Sequence, residues 1–279
     1  MDYGPKSLLQ LRTQMPKADR PVIVILSGAG LSAESGIPTY RNPDNSWSRS
    51  DSLNAGHMRN APQIVFDSMN RRINAYTQAK PNSAHVAIAE FRKTWRHAAD
   101  IVHITQNIDT LCEDAGDAGV FHLHGSFLTS RCTQCGAVFP RLGFYREGNI
   151  CPACKAAGFS VRPDVVLFEE MPLGMDWIPE VIKRADIFLA IGTSGVVYPA
   201  AGFVTLALKH GCHDRILIAK DALSESFLGL ATAEDCIGDF TKFLRGNATS
   251  LVPAVLQTVG DWIERITQKT DSVDTQPKP

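Results

Sequence analysis

The sequence predicts an α/β fold: a doubly wound, Rossmann-like parallel sheet with a small inserted zinc-binding module. Three observations carry this. Val22-Ile23-Val24-Ile25-Leu26 is an unbroken run of β-branched and aliphatic residues ending at Ser27-Gly28, as a strand buried on both faces of a parallel sheet reads. Comparable runs recur at 101–105, 187–191 and 215–219, with helical patterns between them at Ser83 to Trp95 and Gly202 to His210. Four of the seven cysteines fall into two Cys-x-x-Cys pairs inside a segment that has little periodicity of its own.

The 279 residues allow one large domain carrying a small module. The expected bounds are 1–130 and 162–266 for the Rossmann-like domain and 131–161 for the module. Residues 267–279, polar and with two prolines, are expected to be a frayed tail. Apolar residues make up 44% and charged residues 20%, which excludes disordered and fibrous classes. A net charge of -1 gives no ground for nucleic acid or an anionic membrane as partner. No apolar run reaches the roughly 18 residues of a membrane span, and the first twenty residues lack a secretory pattern, so a cytoplasmic protein is expected. No solenoid-period repeat is visible.

The first strand feeds Gly28-Ala29-Gly30-Leu31-Ser32-Ala33, a turn of the kind that brings backbone close to a pyrophosphate. Alone this is a weak signal, since such turns also arise with no ligand. Ser32 suits a cap on the following turn, Glu34 is expected to be tied up by local backbone donors, and Arg41 offers a guanidinium fork for a phosphate. The second strand exits into Thr105-Gln106-Asn107-Ile108-Asp109, at the carboxyl edge where open α/β sheets bind ligands. The Asn107 amide and Asp109 carboxylate suit a ribose, a nicotinamide-type amide or a water, although a helix N-cap explains either residue equally simply. In His122-Leu123-His124-Gly125, one histidine of the pair is expected to face the cleft, because residues two apart point to opposite sides of an extended chain.

The cysteines give the strongest single signal. Cys132-x-x-Cys135, fifteen residues, then Cys151-x-x-Cys154 is the spacing of a tetrahedral four-cysteine zinc site. With four protein ligands no coordination position stays open, so the zinc is expected to be structural. Arg131, Arg141, Arg146 and Lys155 are too sparse for a nucleic-acid face.

Taken together, these motifs resemble the sirtuin (Sir2) family. The matching segments are GAGLSAESGIPTYR at 28–41, PNSAH at 81–85, TQNID at 105–109, HLHG at 122–125, the paired cysteines, RPDVVLFEEMP at 162–172 and GTSGVVYPA at 192–200. They run in the family's order over roughly residues 21 to 256. The resemblance implies an NAD-dependent protein-lysine deacylase, which moves an acyl group from lysine to ADP-ribose and releases nicotinamide. By that likeness Gly28, Ala29, Gly30, Ser32 and Glu34 line the pyrophosphate turn, and Ile37 and Pro38 belong to the cofactor loop. Tyr40 stands beside the nicotinamide in place of the usual Phe, and Arg41 ends the loop. Gln106, Asn107, Ile108 and Asp109 surround the nicotinamide ribose, while Gly192, Thr193, Ser194 and Ala248 hold the adenosine half. His124 is the implied general base, with Asn107 and Asp109 as its catalytic companions. Val166, Phe168 and Glu169 receive an acyl-lysine peptide as an added strand.

The chain also departs from the family. FEEMPLGMD and GTSGVVYPAAGF resemble the bacterial class III branch, in which a Tyr and an Arg three residues later bind an acyl carboxylate. Counted back from Pro81-Asn82 with Phe66 as anchor, those positions fall on Asp67 and Asn70. An acidic Asp67 opposes a carboxylated acyl group, which favours deacetylation over desuccinylation, and only a one-residue helix shift would bring Arg71 near. Leu167 and Glu169 stand where the family usually has Trp and Gly, and Ala219 where an Asn often meets the ribose. The competing readings are an NAD hydrolase or protein ADP-ribosyltransferase of the same fold, and a non-catalytic NAD-binding module. A hydride-transferring dehydrogenase has no use for the zinc module or the HLHG histidine.

Overall fold

The computed structural model describes residues 19–39, 54–193, 200–220 and 238–274. In chain order they form β1 (Val22–Ser27), α1 (Ala29–Ser32), α2 (Ala55–Asn60), α3 (Pro62–Gln78), α4 (Ser83–Trp95) and β2 (Asp100–Thr105). There follow α5 (Leu111–Asp114), β3 (Phe121–His122), β4 (Gly125–Cys132), β5 (Val138–Pro140) and β6 (Val161–Val165). The chain continues as α6 (Ile178–Arg184), β7 (Ile187–Ile191), α7 (Phe203–Lys209), β8 (Asp214–Ala219), β9 (Lys242–Arg245) and α8 (Ala248–Asp274).

Six strands build one parallel sheet in the order β3-β2-β1-β7-β8-β9. All four apolar runs read from the sequence are strands of this sheet. Period-two alternation sorts their side chains between two cores. Ile23 and Ile25 face α4 and α8, packing with Ile88, Phe91, Val252, Val259 and Trp262. Val22, Val24 and Leu26 face α6 and α7, packing with Ile178, Ile182, Phe203 and Val204. Burial on both faces is why these strands read as continuous apolar runs rather than alternating ones. After β1 the chain first adds β2 on one side and later β7 on the other, so the sheet reverses direction at β1. The carboxyl ends of β1 and β7 therefore flank the crevice where ligands bind such sheets.

A second sheet, antiparallel in the order β5-β4-β6, carries the cysteines. It extends from Gly125 to Val165, so its framing strands begin outside the interval 131–161. A third core joins it to the large domain: Phe66, Met69 and Ile73 of α3 pack with Phe127, Tyr145, Val165 and Leu167, and with Ile37 and Ile108 from the two ligand loops.

The expected frayed tail is not what the structure has up to Asp274. α8 runs on through residues 267–274. Extending a nucleated helix costs little, and Ile263 and Ile266 keep that helix docked. Pro253 lies inside α8 and cannot donate to the Thr249 carbonyl. The Ser83 hydroxyl, 3.0 Å away, donates to that carbonyl instead.

Candidate active site

The glycine turn after β1 is built against the exit of β7. Gly28 N donates to Ile191 O at 2.9 Å, and Gly30 N donates to Gly192 O at 2.8 Å. A Cβ on Gly30 would stand 2.6 Å from Gly192 Cα, and one on Gly192, whose φ is +60°, would stand 2.4 Å from Leu31 N. Only glycine allows the two turns to approach so closely. Gly28 N and Gly30 N are thus spent on joining the two turns at the floor of the crevice. Gln106 bridges the same crevice: its Nε2 donates to Thr193 Oγ1 at 2.9 Å, and its N donates to Ser27 O.

Asn107 is not a helix cap. Its Nδ2 donates to Gly28 O at 3.2 Å and to Ser32 Oγ at 3.0 Å, tying the TQNID loop to the glycine turn. Asp109 does work partly as a cap, accepting from Leu111 N at 3.1 Å. Burial raises its pKa, opposed by the Leu111 N–H, the Ser32 hydroxyl and the charge of His122. Ser32 makes no cap on its own turn. Its hydroxyl gathers Asn107, His85 Nε2 at 3.3 Å and Asp109 at one point. Because His85 Nδ1 accepts from the Asn82 N–H, its Nε2 must carry the proton. Burial lowers the pKa of His85 to about 4, so the ring is neutral near pH 7.

Glu34 corrects another expectation. Its donors are not local: the carboxylate accepts from Thr249 N at 3.2 Å and Thr249 Oγ1 at 2.9 Å, in the first turn of α8. A carboxylate there satisfies an orphan N–H and meets the positive end of the helix dipole. Ala248, assigned to the adenosine half, is buried as the first residue of that helix. Ile37 is buried in the third core and Pro38 is exposed. Tyr40, Arg41 and Ser194 lie outside the described residues.

Both histidines of HLHG bond to the TQNID loop, rather than pointing apart. Residues 123 and 124 form a turn, so the two-residue alternation of an extended strand does not apply. His124 Nδ1 lies 2.9 Å from the Gln106 carbonyl oxygen, an acceptor only, so Nδ1 carries the hydrogen and Nε2 holds the lone pair. Nε2 has no bond to a described residue. Burial lowers the pKa of His124, partly offset by the Gln106 bond. His122 is used differently: Nδ1 meets the Asn107 carbonyl and Nε2 meets Glu113 Oε1, each at 2.8 Å.

Sequence reasoning missed His122–Glu113 and a second buried group. His103 Nδ1 donates to Asp117 Oδ2 at 2.6 Å and its Nε2 accepts from Ser27 Oγ at 2.8 Å, while Arg92 pairs with Asp117. Burial, then Arg92, puts the pKa of His103 well below its ordinary value. A histidine inside an apolar strand run was the available signal, since a buried polar ring needs partners.

Val166 N donates to His124 O at 2.9 Å, so the segment after β6 abuts the HLHG turn. Phe168 forms an isolated parallel bridge with Asn54. Asp67 is exposed and accepts from Gln63 Nε2 at 2.6 Å, and Asn70 is committed to the backbone of Tyr145 through both Oδ1 and Nδ2. Phe66 and Met69 are fully buried on the core side of α3, and Arg71 is exposed. Arg72 is bonded to Ser68.

The four cysteine sulfurs lie within 4.8 Å of one another, with Cys132–Cys154 at 3.7 Å and Cys135–Cys151 at 3.8 Å. Zinc–sulfur bonds of about 2.3 Å in a tetrahedron put sulfurs about 3.8 Å apart, so the set fits zinc. The two knuckles repeat one hydrogen-bond pattern. Cys132 N donates to Ala137 O and Gly136 N to Cys132 O, matched by Cys151 N to Ala156 O and Lys155 N to Cys151 O. Each knuckle closes on a left-handed residue, Gly136 at φ +73° and Lys155 at φ +63°.

Comparison with known proteins agrees with this arrangement. The Sir2 family model matches residues 28–199. A relative from Caulobacter vibrioides named NAD-dependent protein deacylase is 38% identical over 256 residues, covering 88% of this chain and 96% of its own. A solved Sir2 homologue in complex with NAD superposes with a TM-score of 0.71 at 32% identity, covering 86% of this chain and 90% of its own. A mutant Sir2 homologue in complex with 2'-O-acetyl ADP-ribose gives 0.71 at 33%, covering 86% and 92%. With its glycine turn, TQNID and HLHG loops and four-cysteine cluster set in the family's fold, the chain belongs to the Sir2 family.

Proposed function

We propose that this chain is an NAD-dependent protein-lysine deacylase acting on acyl-lysine peptides, with deacetylation as its main reaction. The observation that carries this is the His124 tautomer, whose Nδ1–H is fixed on Gln106 O so that a basic Nε2 remains. NAD, when bound, supplies an activated ribose carbon with nicotinamide as leaving group. His124 then takes a proton at Nε2 from a ribose hydroxyl, so that the hydroxyl oxygen can receive the acyl group. Asn107 and Asp109, fixed through Ser32 and Leu111, orient the ribose and the nicotinamide amide. Gly28, Gly30 and Gly192 keep the crevice floor close to the cofactor, with Gln106, Ile108 and Thr193 beside it. Arg41, Tyr40 and Ser194 are assigned to the same cofactor by the family's pattern.

A small neutral acyl group is supported by α3. The positions that bind a carboxylate in the class III branch hold a solvent-facing Asp67 and a committed Asn70, while Phe66, Phe127, Val165 and Leu167 pack as an apolar cluster. The large domain is assigned to 1–130 and 162–266, with the zinc module, 131–161, inserted between. Zinc there holds the module's knuckles through Cys132, Cys135, Cys151 and Cys154. No helix among the described residues is long and apolar enough to cross a membrane. Cys112 and Cys212, both buried, together with the four metal-type cysteines, support a reducing, cytoplasmic setting.

The test is incubation with NAD and acetyl-, propionyl- and succinyl-lysine peptides, with products identified by mass. O-acetyl-ADP-ribose that is absent with His124→Ala is the expected result. ADP-ribose formed without peptide would instead indicate NAD hydrolysis, ADP-ribosylated protein a transferase, and no turnover a binding module.

A further inference from the structure

Among the described residues only two non-glycine residues have φ in the left-handed region, Lys155 and Glu169. Lys155 is explained by its knuckle. Glu169, at φ +76°, closes no metal loop, and this conformation is unfavourable for a non-glycine residue.

The neighbouring carboxylates of this segment are paired. Asp164 pairs with Arg131 at 2.8 Å, and Glu170 accepts from Arg162 at 2.6 Å and from Leu167 N at 2.9 Å. Glu169 is exposed, and its carboxylate has no hydrogen bond or ion pair with any described residue. It follows Phe168 directly and lies three residues from Val166, whose N–H holds the His124 carbonyl. Among the described residues, this carboxylate is therefore left without a partner at the end of the segment expected to pair with peptide.

We propose that Glu169 is a specificity-determining residue that selects acyl-lysine peptides carrying a Lys or Arg within a few residues of the acylated lysine. Acylation removes the charge of the target lysine itself, so the cation must come from a neighbour. This inference rests on the deacylase reading above. The interaction is solvent-exposed, which limits it to a moderate effect and makes it weaken with salt.

Acetyl-lysine peptides flanked by Lys, Gln or Glu, assayed with the zinc-loaded enzyme at saturating NAD, provide the test. For the wild type kcat/KM should favour the Lys-flanked over the Glu-flanked peptide roughly three- to tenfold, mainly through KM. Glu169→Gln should bring the ratio to within about twofold and Glu169→Lys should invert it. Turnover by the wild type without charge preference, or a preference that survives in Glu169→Gln, overturns the inference alone. No turnover of any peptide by the wild type overturns the deacylase reading, and this inference with it.

Discussion

Both ring nitrogens of His122 face acceptors: Nδ1 is 2.8 Å from the Asn107 carbonyl oxygen and Nε2 is 2.8 Å from Glu113 Oε1. A neutral ring has one N–H, so making both bonds requires the imidazolium. Burial works against that charge, but the Glu113 hydrogen bond and charge, with the Asn107 carbonyl and Asp109, raise the pKa above its ordinary value. A positive charge thereby sits behind the loop that carries Asn107 and Asp109.

A raised folded-state pKa means that the pair's stabilisation is complete below the unfolded value of about 6.5 and is lost as pH rises through the folded value. Glu113→Gln should therefore cost about 1 kcal/mol at pH 5.5, after allowing for solvent around Glu113, and clearly less at pH 9. Urea unfolding of both proteins at the two pH values measures this. An equal cost at both would show that His122 is neutral.

His85 has the opposite sign. With its pKa lowered to about 4 by burial, the unfolded chain binds more protons than the folded one between pH 6.5 and 4, so stability is lost as pH falls through that window. The linkage amounts to roughly 3 kcal/mol for His85 alone. His103, also held neutral by burial, adds to it in the same direction. His85→Gln should flatten the acid limb of a stability-against-pH curve, whatever its effect at neutral pH. An unchanged acid limb would mean that the ring is not held neutral.

His124 titrates in the same direction but is read through rate. Its lowered pKa, caused by burial and only partly offset by Gln106, keeps the imidazole neutral to lower pH than an ordinary histidine, whose pKa is about 6.5. The acid limb of kcat/KM should fall below that value. His124→Ala should reduce acyl transfer by about 10² to 10⁴. An acid limb near or above pH 7 would assign it to another group.

How much of this was legible depended on the range of each interaction. The strands of the large sheet and the cysteine cluster follow from local pattern: apolar runs buried on both faces, and ligand spacing. The tautomer of His124 did not, because the turn at 123–124 breaks the alternation that the sequence implies. Asn70 and Tyr145 are 75 residues apart and Glu34 and Thr249 are 215 apart, and no periodicity encodes which polar group meets which at that distance. Asp67 shows the converse. An ungapped count places it at an acyl-binding position, yet Phe66 and Met69, by filling the third core, leave it facing solvent.

The zinc module provides a prediction with opposite outcomes at matched positions. Gly136 and Lys155 occupy the same place in the two knuckles, each with positive φ and each donating its N–H to the first cysteine carbonyl. Lys155→Gly should stabilise the zinc-loaded protein by about 0.5 to 1 kcal/mol, while Gly136→Ala should destabilise it by about 1 kcal/mol. Thermal unfolding at fixed zinc checks both, and equal signs would refute the shared geometry.

Glu34 separates a cofactor role from a structural one. If its carboxylate serves the first turn of α8, as its bonds to Thr249 N and Oγ1 indicate, Glu34→Ala should lower stability by about 1 kcal/mol in the absence of any cofactor. Thr249→Val removes the hydroxyl but keeps the N–H, so it should cost less. In Glu34→Ala the Thr249→Val change should then add almost nothing, because the hydroxyl has already lost its acceptor. The loss should shrink with added salt, as a helix-dipole contribution does. Unfolding curves for the four proteins decide the matter. Full additivity, or a Glu34→Ala variant as stable as the wild type but with a raised KM for NAD, would return Glu34 to the cofactor.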